Sequence, residues 1–170
     1  MIIRQANTND TDALLALFAE ARATIAALGI DQWQNGYPSL SVVSEDIAKH
    51  RSYVVEGNGT LMATFVLITD GEPTYDRIYD GEWLTQDSQS YIAIHRVAIS
   101  VAQRGSGIST AILDYAAEMA STLNRISLRI DTHKGNLVMR RMLEKHGFSH
   151  CGSIYLENGD HRVAYEKLIP

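Results

Sequence analysis

Residues 95–110 read HRVAISVAQRGSGIST and mark a change from a strand pattern to a helix pattern. The stretch begins with an apolar run and passes through a turn that contains Gly105 and Gly107. A helical pattern, AILDYAAEMASTL, follows over residues 111–123. The first four N–H groups of a helix have no partner within it, and glycine lets another molecule approach the backbone closely. The stretch therefore predicts an anion-binding turn at the start of a helix.

The turn differs from two common phosphate-binding motifs. The sequence contains no G-x-x-x-x-G-K-[ST], which excludes a P-loop. It also lacks a G-x-G-x-x-G with an acidic residue about 20 positions later, which argues against a dinucleotide-binding fold. Backbone amides from Arg104 to Thr110, helped by about half a positive charge at the helix N-terminus, suit a pyrophosphate. The alternative, a turn that only begins a helix, stays open.

Length and composition indicate an ordinary globular protein. The chain has 170 residues, 45% of them hydrophobic and 21% charged, which predicts a single domain over residues 1–170. A net charge of −5 argues against nucleic acid as a partner, since phosphate binding needs a basic surface. Cys151 has no second cysteine to pair with, which favours a reducing, cytoplasmic location. No apolar run reaches the ~20 residues of a membrane span, so no membrane partner is expected.

Hydrophobic periodicity predicts the order β-α-α-β-β-β-α-β-α-β-β. Helices are predicted over residues 11–28, 41–50 and 105–123, and from a cap at Asn136 to an end at Gly147. Two β-rich runs around Gly57-Asn58-Gly59 indicate a hairpin. Mixed strands and helices favour an α+β sheet with helices on both faces. The strand-helix-strand passage from Tyr91 to Asp131 predicts two parallel neighbouring strands.

Two motifs in this order resemble the GNAT superfamily of N-acetyltransferases. The segment VAISVAQRGSGISTAIL resembles the pattern [QR]-x-x-G-x-[GA]. Arg104 and Gly107 match this pattern, whereas Ser109 stands in the last position, where glycine or alanine is usual. The segment NLVMRRMLEKHGF, residues 136–148, resembles N-x-x-A-x-x-L-Y-x-K-x-G-F. In that second motif Met139 stands where alanine is usual, and Leu143 stands where tyrosine is often found.

The resemblance implies a mixed, mostly antiparallel twisted sheet of about seven strands and acetyl-CoA as the cofactor. The turn amides would then hold the cofactor's pyrophosphate, and one strand would pair through its backbone with the pantetheine arm. Asn136 would meet the arm from the other side, while also capping its helix. The implied cofactor-binding residues are Val97, Ala98, Ile99, Arg104, Gly105, Ser106, Gly107, Ile108, Ser109, Thr110, Asn136, Met139, Arg140 and Leu143.

The implied reaction is direct attack of a primary amine on the thioester of acetyl-CoA. His95 is the candidate base, because strand alternation places it on the same face as Val97 and imidazole titrates near neutral pH. Its alternative is a structural strand histidine. Leu143 occupies the position where the family often has a tyrosine, so Tyr155 is the candidate acid instead. The alternative is that Tyr155 is only a structural tyrosine in the core or at the rim. The thiolate can also leave without an acid, since thiol pKa values lie near 8.5.

The resemblance also implies that the segment IDQWQNGYPS, residues 30–39, walls the pocket for the acceptor, which is a small-molecule or peptide amine. Trp33 and Tyr37 are the candidate substrate-binding residues, with a local aromatic cluster as the alternative. Asp131 could hold a cationic acceptor. No metal site is expected, although Asp131 and His133, and His146 and His150, have suggestive spacings.

Three function classes remain at this point. The first is an acetyl-CoA-dependent N-acetyltransferase. The resemblance also implies a possible homodimer, in which the closing strands of two copies could pair. The second is a non-catalytic acyl-CoA-binding sensor or degenerate relative, which Ser109 and Leu143 favour. The third, a nucleic-acid modifier, is disfavoured by the acidic charge balance.

Overall fold

The computed structural model describes residues 1–86 and 90–170 of the chain. The strands are β1 (Ile2–Gln5), β2 (Ser52–Gly57), β3 (Thr60–Ile68), β4 (Tyr91–Ile99), β5 (Ser127–Thr132), β6 (Ser149–Tyr155) and β7 (His161–Leu168). The helices are α1 (Thr11–Ala27), α2 (Leu40–Ala48), α3 (Ile108–Thr122) and α4 (Leu137–Lys145). Single-turn 3-10 helices cover Thr8–Asp10, Pro73–Tyr75 and Val101–Gln103. The predicted order of strands and helices is confirmed.

The seven strands form one sheet in the order β1-β2-β3-β4-β5-β7-β6. The β1–β2, β2–β3, β5–β7 and β6–β7 pairs are antiparallel. β4 and β5 pair in parallel, from Tyr91 opposite Ser127 to Ala93 opposite Arg129. The predicted parallel crossover and the mostly antiparallel sheet are therefore confirmed.

The predicted hairpin is the β2–β3 pair. Its two-residue turn, Asn58–Gly59, has φ angles of 52° and 72°. Positive φ at both central residues is the requirement of a type I′ turn, which matches the twist of the two strands. Asparagine and glycine tolerate this conformation better than other residues, so the local sequence was sufficient to predict it.

The chain forms two compact units. The first unit comprises Met1–Leu67 and Arg96–Ile112, and the second comprises Ile68–His95 and Leu113–Pro170. The single domain over residues 1–170 stays a prediction. Within the described residues, 1–86 and 90–170, we find no helix whose length and apolar character would carry it across a membrane.

The core of the first unit lies where two helices meet the inner face of the sheet. α1 buries Leu14 and Phe18, and α2 buries Val43 and Ile47. Each pair is four residues apart, so both members lie on one face of their helix. These side chains pack with strand residues and with Ala6, and the cluster consists of Ala6, Leu14, Phe18, Val43, Ile47, Val54 and Ala98.

The second unit contains a buried ion pair between two neighbouring strands. Arg129 on β5 lies opposite Glu166 on β7, and Arg129 Nε donates to Glu166 Oε1 at 3.0 Å. Both side chains are buried, with 3% and 0% exposure. The guanidinium also lies 4.2 Å from the ring centres of both Trp83 and Tyr91. A buried charge is tolerated only when its hydrogen bonds are satisfied, so this cluster fixes where its members lie.

Glu166 also attaches a loop to the sheet. Its carboxylate accepts hydrogen bonds from the amide of Leu84 at 2.6 Å and from the hydroxyls of Thr85 and Ser127 at 2.5 and 2.6 Å. Arg129 Nη2 donates in turn to the carbonyl of Thr85 at 2.8 Å. Leu84 and Thr85 are therefore attached to the sheet by charge-assisted hydrogen bonds, which are stronger than neutral ones.

We expect Glu166→Ala to lower the free energy of unfolding by about 3–5 kcal/mol, because it leaves the Arg129 guanidinium buried and unpaired. Urea denaturation followed by circular dichroism measures the loss. Glu157→Ala is the matched control, since Glu157 is exposed in the turn between β6 and β7 and its replacement makes the same charge change. Equal losses in the two variants would contradict the assignment of Glu166 as a stabilising buried charge.

Candidate functional site

The glycine turn of the first unit leads directly into α3. Gly105 and Gly107 have φ angles of 75° and 83°, in the left-handed region that side chains disfavour. A Cβ built on either glycine would meet no heavy atom within 4 Å. α3 begins at Ile108, and the first helical donor is the amide of Ala111, 3.1 Å from the carbonyl of Gly107. The predicted helix start at residue 105 was wrong, because the left-handed glycines interrupt helical geometry.

Two of the amides predicted to bind pyrophosphate already have partners within the turn. The amide of Arg104 donates to the carbonyl of Val101, and the amide of Ser106 donates to that of Gln103, both at 3.3 Å. The predicted anion site therefore retains the amide of Gly105 and those from Gly107 to Ser109, which precede the helical donor Ala111. The first turn of an α-helix leaves such amides without intrahelical partners.

The turn is anchored to α1 by two polar contacts. Glu20 Oε1 accepts from the amide of Val101 at 2.6 Å. Arg104 Nη2 donates to the hydroxyl of Thr24 at 3.0 Å. Glu20 and Thr24 are four residues apart, so both lie on one face of α1. The side chain of Arg104 thus positions the turn, in addition to the role predicted for its amide.

The strand predicted to pair with the pantetheine arm follows an irregular residue. Ala98 is buried, whereas Val97 and Ile99 are half-buried. Arg96 has a φ of 51°, which is uncommon for a residue other than glycine. Regular alternation is therefore interrupted between His95 and Val97, and the argument that they share one face of the strand does not hold through this residue.

Arg96 belongs to a polar cluster in the first unit. Its Nε and Nη2 each donate to Asp46 at 2.8 Å, and its Nη1 donates to the hydroxyl of Tyr37 at 2.7 Å. Burial alone would lower the pKa of Arg96, but Tyr37 and Asp46 outweigh it and raise the pKa. The guanidinium therefore stays charged. Asp46 lies on α2 and is 5% exposed, so the pair is largely shielded from water.

The two predicted substrate-binding aromatics lie at this cluster. The ring centres of Trp33 and Tyr37 are 6.4 Å apart, and Trp33 also packs edge-on against Phe18 at 5.8 Å. The contact with Phe18 supports the alternative of local aromatic packing for Trp33. Neither Arg96 nor Asp46 was predicted from the sequence. The available signal was an arginine within an apolar strand, which requires a carboxylate partner.

His95 lies in a second polar cluster, within the second unit. Its Nε2 is 2.8 Å from Glu72 Oε2, and its Nδ1 is 4.0 Å from Asp131 Oδ2. The hydroxyl of Tyr75 donates to the same Asp131 oxygen at 2.6 Å. His95 and Asp131, which were predicted separately as base and substrate-binding residue, are thus brought together. Neither Glu72 nor Tyr75 was predicted as a functional residue.

Glu72 is held by its own set of hydrogen bonds. The amide and hydroxyl of Thr74 donate to Glu72 Oε1 at 3.3 and 3.0 Å, and the amide of Glu72 donates to the Tyr91 hydroxyl at 2.8 Å. Burial raises the pKa of Glu72, but the hydrogen bond and charge of His95, with the bonds from Thr74, outweigh it and lower the pKa to about 2. The carboxylate is therefore ionised at neutral pH.

Tyr75 keeps its proton. The side chain is 1% exposed, and burial, followed by the charge of Asp131, raises the pKa of its hydroxyl well above the ordinary value. Its carbonyl accepts a hydrogen bond from Trp83 Nε1 at 2.9 Å. Tyr75 therefore acts as a fixed donor to Asp131.

The predicted acid, Tyr155, lies among other aromatic rings. It is 44% exposed and packs edge-on against Tyr79 and His161, with ring centres 5.2 and 5.6 Å away. These contacts show a rim position for this tyrosine. Its role as an acid stays a prediction.

The α4 residues predicted to bind the cofactor have different environments. Asn136 caps the helix, with its Oδ1 accepting from the amide of Met139 at 3.2 Å, so the predicted cap is confirmed. Arg140 Nε donates to the Tyr165 hydroxyl at 3.0 Å. Leu143 is 0% exposed, so its side chain is part of the interior. Asn136, Met139 and Arg140 are half-buried, so Leu143 alone of the implied set on this helix is fully buried.

Among residues 1–86 and 90–170, no group of three or more histidine, cysteine, aspartate or glutamate side chains is arranged to hold a metal ion. The spacings of Asp131 with His133 and of His146 with His150 therefore have no third ligand in the part of the chain that the structure describes. His146 Nδ1 is instead 2.8 Å from the carbonyl of Met142.

The comparison with protein families gives one match. The model of the acetyltransferase (GNAT) family matches residues 17–148, which is more than half of the chain. The matched range contains the glycine turn, His95 and the second motif up to Phe148. The curated proteins include no match to this chain.

Solved structures of acetyltransferases resemble the chain over nearly its full length. A GNAT family acetyltransferase from Streptococcus agalactiae is 36% identical, with a TM-score of 0.88, covering 98% of this chain and 94% of its own. One from Listeria monocytogenes is 17% identical, with a TM-score of 0.75 and the same two coverages, 98% and 94%. A ribosomal-protein-alanine N-acetyltransferase from Brucella melitensis is 17% identical, with a TM-score of 0.69 and 99% coverage of both chains. The last two, at this identity, show the fold alone.

We expect Glu72 to contribute stability that depends on pH. Its pKa falls from 4.5 in the unfolded chain to about 2 in the folded protein, so its contribution is complete above pH 4.5. That contribution is lost as the pH falls from 4.5 toward 2. The contribution of Glu72 to the free energy of unfolding is on the order of 3 kcal/mol at most. Urea denaturation of the wild type and Glu72→Gln across this pH range measures it.

Glu82→Gln is the matched control, because Glu82 is exposed in the same loop and the charge change is identical. The gap between wild type and Glu72→Gln should narrow with acid, whereas the gap to Glu82→Gln should stay small. A gap for Glu72→Gln that persists unchanged to about pH 2 would contradict the lowered pKa.

Proposed function

The chain belongs to the GNAT family of acetyltransferases, and on this premise we propose that it transfers an acetyl group from acetyl-CoA to a primary amine by direct attack. The acceptor is a small molecule or a peptide. The observation that carries the proposal is the glycine turn at the start of α3, within the range that the family model matches. A cytoplasmic location, which the lone Cys151 favours, and a homodimer belong to the same proposal.

The pyrophosphate of acetyl-CoA would bind at the turn. The left-handed Gly105 and Gly107 direct the backbone into α3, and the absence of a Cβ leaves the approach to their amides open. The amides from Gly107 to Ser109 precede the first helical donor, and the helix adds about half a positive charge at this end. These are the features that make a helix N-terminus suit an anion.

Two further segments would hold the remainder of acetyl-CoA. Val97 to Ile99 are extended backbone on β4, and β-branched side chains at Val97 and Ile99 favour that conformation. Asn136 would contribute through its amide nitrogen, since its side-chain oxygen already caps α4. Bound acetyl-CoA would supply the thioester that the acceptor amine attacks.

His95 would remove the proton of the attacking amine. An amine with a pKa of about 10.4 is mostly protonated at pH 7, and freeing it costs roughly 4–5 kcal/mol. Imidazole is suited to accept that proton near neutral pH. Glu72 and Asp131 flank the ring, so two carboxylates would stabilise the imidazolium that forms.

Tyr155 stays the candidate acid for the departing thiolate, which can also leave without a protein acid. The family's usual tyrosine position holds Leu143, whose side chain is fully buried, and Tyr155 lies at an aromatic rim. A thiol pKa near 8.5 makes the thiolate a tolerable leaving group. This step therefore needs less assistance than the deprotonation of the amine.

Trp33 and Tyr37 would contact the acceptor. Tyr37 is fixed by its hydrogen bond from Arg96, and a fixed aromatic side chain loses little conformational entropy on binding. The carboxylate of Asp131 already accepts a hydrogen bond from Tyr75. We therefore assign Asp131 mainly to the stabilisation of His95, and it would act on the charge of the acceptor only through His95.

We expect wild-type protein to bind acetyl-CoA near micromolar and Gly107→Glu to bind it about 100-fold more weakly, a difference of roughly 2.7 kcal/mol. The introduced carboxylate would repel the pyrophosphate and fill the open approach to the turn. Isothermal titration calorimetry with acetyl-CoA measures both affinities.

Gly59→Glu is the matched control, since Gly59 has a φ of 72°, nothing within 4 Å of a built Cβ, and a place in the β2–β3 turn. It makes the same charge change with similar backbone strain. Equal weakening in the two glutamate variants, or no binding to the wild type, would overturn the cofactor site. Tight binding without turnover of any amine would favour the non-catalytic acyl-CoA-binding alternative.

We expect His95→Ala to lower kcat by about 10²-fold or more, because a positioned base contributes on the order of 10²–10⁴-fold. Steady-state rates between about pH 6 and 9 with a reactive amine measure the effect. His150→Ala on β6 is the control, as His150 is an exposed histidine on another strand. A rate unchanged from the wild type across this range would reject His95 as the base.

A further inference from the structure

The imidazole of His95 is faced by carboxylates at both ring nitrogens. Glu72 precedes the 3-10 helix Pro73–Tyr75, and Asp131 lies on β5, so two separate segments of the second unit supply them. The two contacts differ in length, 2.8 Å at Nε2 and 4.0 Å at Nδ1. Only the first is a hydrogen bond. This asymmetry gives the two nitrogens different roles.

The contact at Nε2 determines where the ring proton lies. An ionised carboxylate can only accept hydrogen bonds, so Nε2 must be the donor to Glu72. A neutral imidazole carries one proton, and its other nitrogen then bears a lone pair. In the neutral state the proton is therefore on Nε2, and Nδ1 is the basic nitrogen.

Glu72 is suited to this task because its own position is fixed. Thr74 donates twice to its other oxygen, Oε1, and Tyr91 accepts from its backbone amide. Its pKa of about 2 keeps the carboxylate ionised throughout the range in which imidazole titrates. A protonated Glu72 carboxyl, which could donate a hydrogen bond to Nε2, is thereby excluded at neutral pH.

The surroundings of Nδ1 suit the arrival of a proton. Asp131 Oδ2 lies 4.0 Å away, beyond hydrogen-bond distance but close enough for its charge to act. Tyr75 donates to that oxygen at 2.6 Å and fixes it, while the Tyr75 ring centre is 5.6 Å from that of His95. The titratable groups around His95 in this cluster are Glu72, Asp131, Tyr75 and Tyr91; Tyr75 donates to Asp131, and Tyr91 accepts from the amide of Glu72.

We propose that Glu72 is a positioning residue that holds the proton of His95 on Nε2, so that Nδ1 receives the proton of the acceptor amine. The inference rests on the proposed function and deepens it. The N–H bond of the acceptor breaks, a new N–H bond forms at Nδ1, and the imidazolium carries the charge beside Asp131. Release of that proton to water restores the neutral ring.

The first test needs neither acetyl-CoA nor an acceptor. Nitrogen NMR of protein labelled with ¹⁵N in histidine distinguishes a protonated ring nitrogen from one that bears a lone pair. In wild-type protein at a pH where the ring is neutral, His95 should show the proton on Nε2. A proton on Nδ1 in that spectrum would overturn the inference without any variant.

Glu72→Gln tests the cause. A carboxamide can face Nε2 with its oxygen or its NH₂ group, so it no longer requires a donor there, and both ring tautomers should appear. Glu82→Gln makes the same charge change on an exposed residue of the same loop and should leave the wild-type spectrum unchanged. A single Nε2–H tautomer that persists in Glu72→Gln would show that Glu72 does not set it and would overturn the inference.

The second test uses the kinetics of acetyl transfer. In Glu72→Gln the maximal kcat should fall about 10-fold, a fraction of what a base contributes, with the KM for acetyl-CoA unchanged. A merely structural role would change kcat and KM together, and that result would overturn the assignment.

The two tests separate the two ideas. If the protein binds acetyl-CoA but acetylates no amine, the proposed transferase activity fails, while the NMR spectra still decide whether Glu72 sets the tautomer. If transfer occurs and the spectra show Nδ1 protonated, the activity stands and the positioning role of Glu72 is wrong.

Discussion

The left-handed backbone of β4 at Arg96 is the constraint on which the Asp46 cluster of the first unit depends. In a regular strand, consecutive side chains point to opposite faces. Arg96 instead has a φ of 51°, a conformation that costs on the order of 1–3 kcal/mol for a residue other than glycine. Its two bonds to Asp46 and one to Tyr37 are charge-assisted, at about 1.5–3 kcal/mol each, and they offset that cost. The strand thereby places Arg96 beside Asp46 and Tyr37 in the first unit.

The His95 cluster is supported by the buried ion pair of the second unit. Arg129 pairs with Glu166 and lies against the ring of Tyr91. The hydroxyl of Tyr91 in turn accepts a hydrogen bond from the amide of Glu72, the residue whose carboxylate contacts His95 Nε2. Each link is buried or half-buried, where the effective dielectric is low and an incorrect arrangement is costly. A buried charge that touches no substrate therefore helps to determine the position of a catalytic candidate.

The glycine turn illustrates how a local feature and its setting combine. The left-handed glycines and the helix start are properties of a few consecutive residues. The turn also depends on α1, whose Glu20 and Thr24 hold Val101 and Arg104. A Gly-rich loop without such anchors would lose conformational entropy on binding an anion, whereas an anchored loop has already done so.

The sequence by itself determined the order of the strands and helices, the Asn58–Gly59 turn, the Asn136 cap and the glycine turn before α3. Each depends on residues within a few positions of one another, where periodicity, capping and turn preferences act. Tertiary structure alone decided that Glu72 meets His95, 23 residues away, and that Asp46 meets Arg96, 50 residues away. It also decided that Leu143 faces the interior. No local pattern encodes such pairs, because they depend on which side chains the packed sheet brings within hydrogen-bond distance.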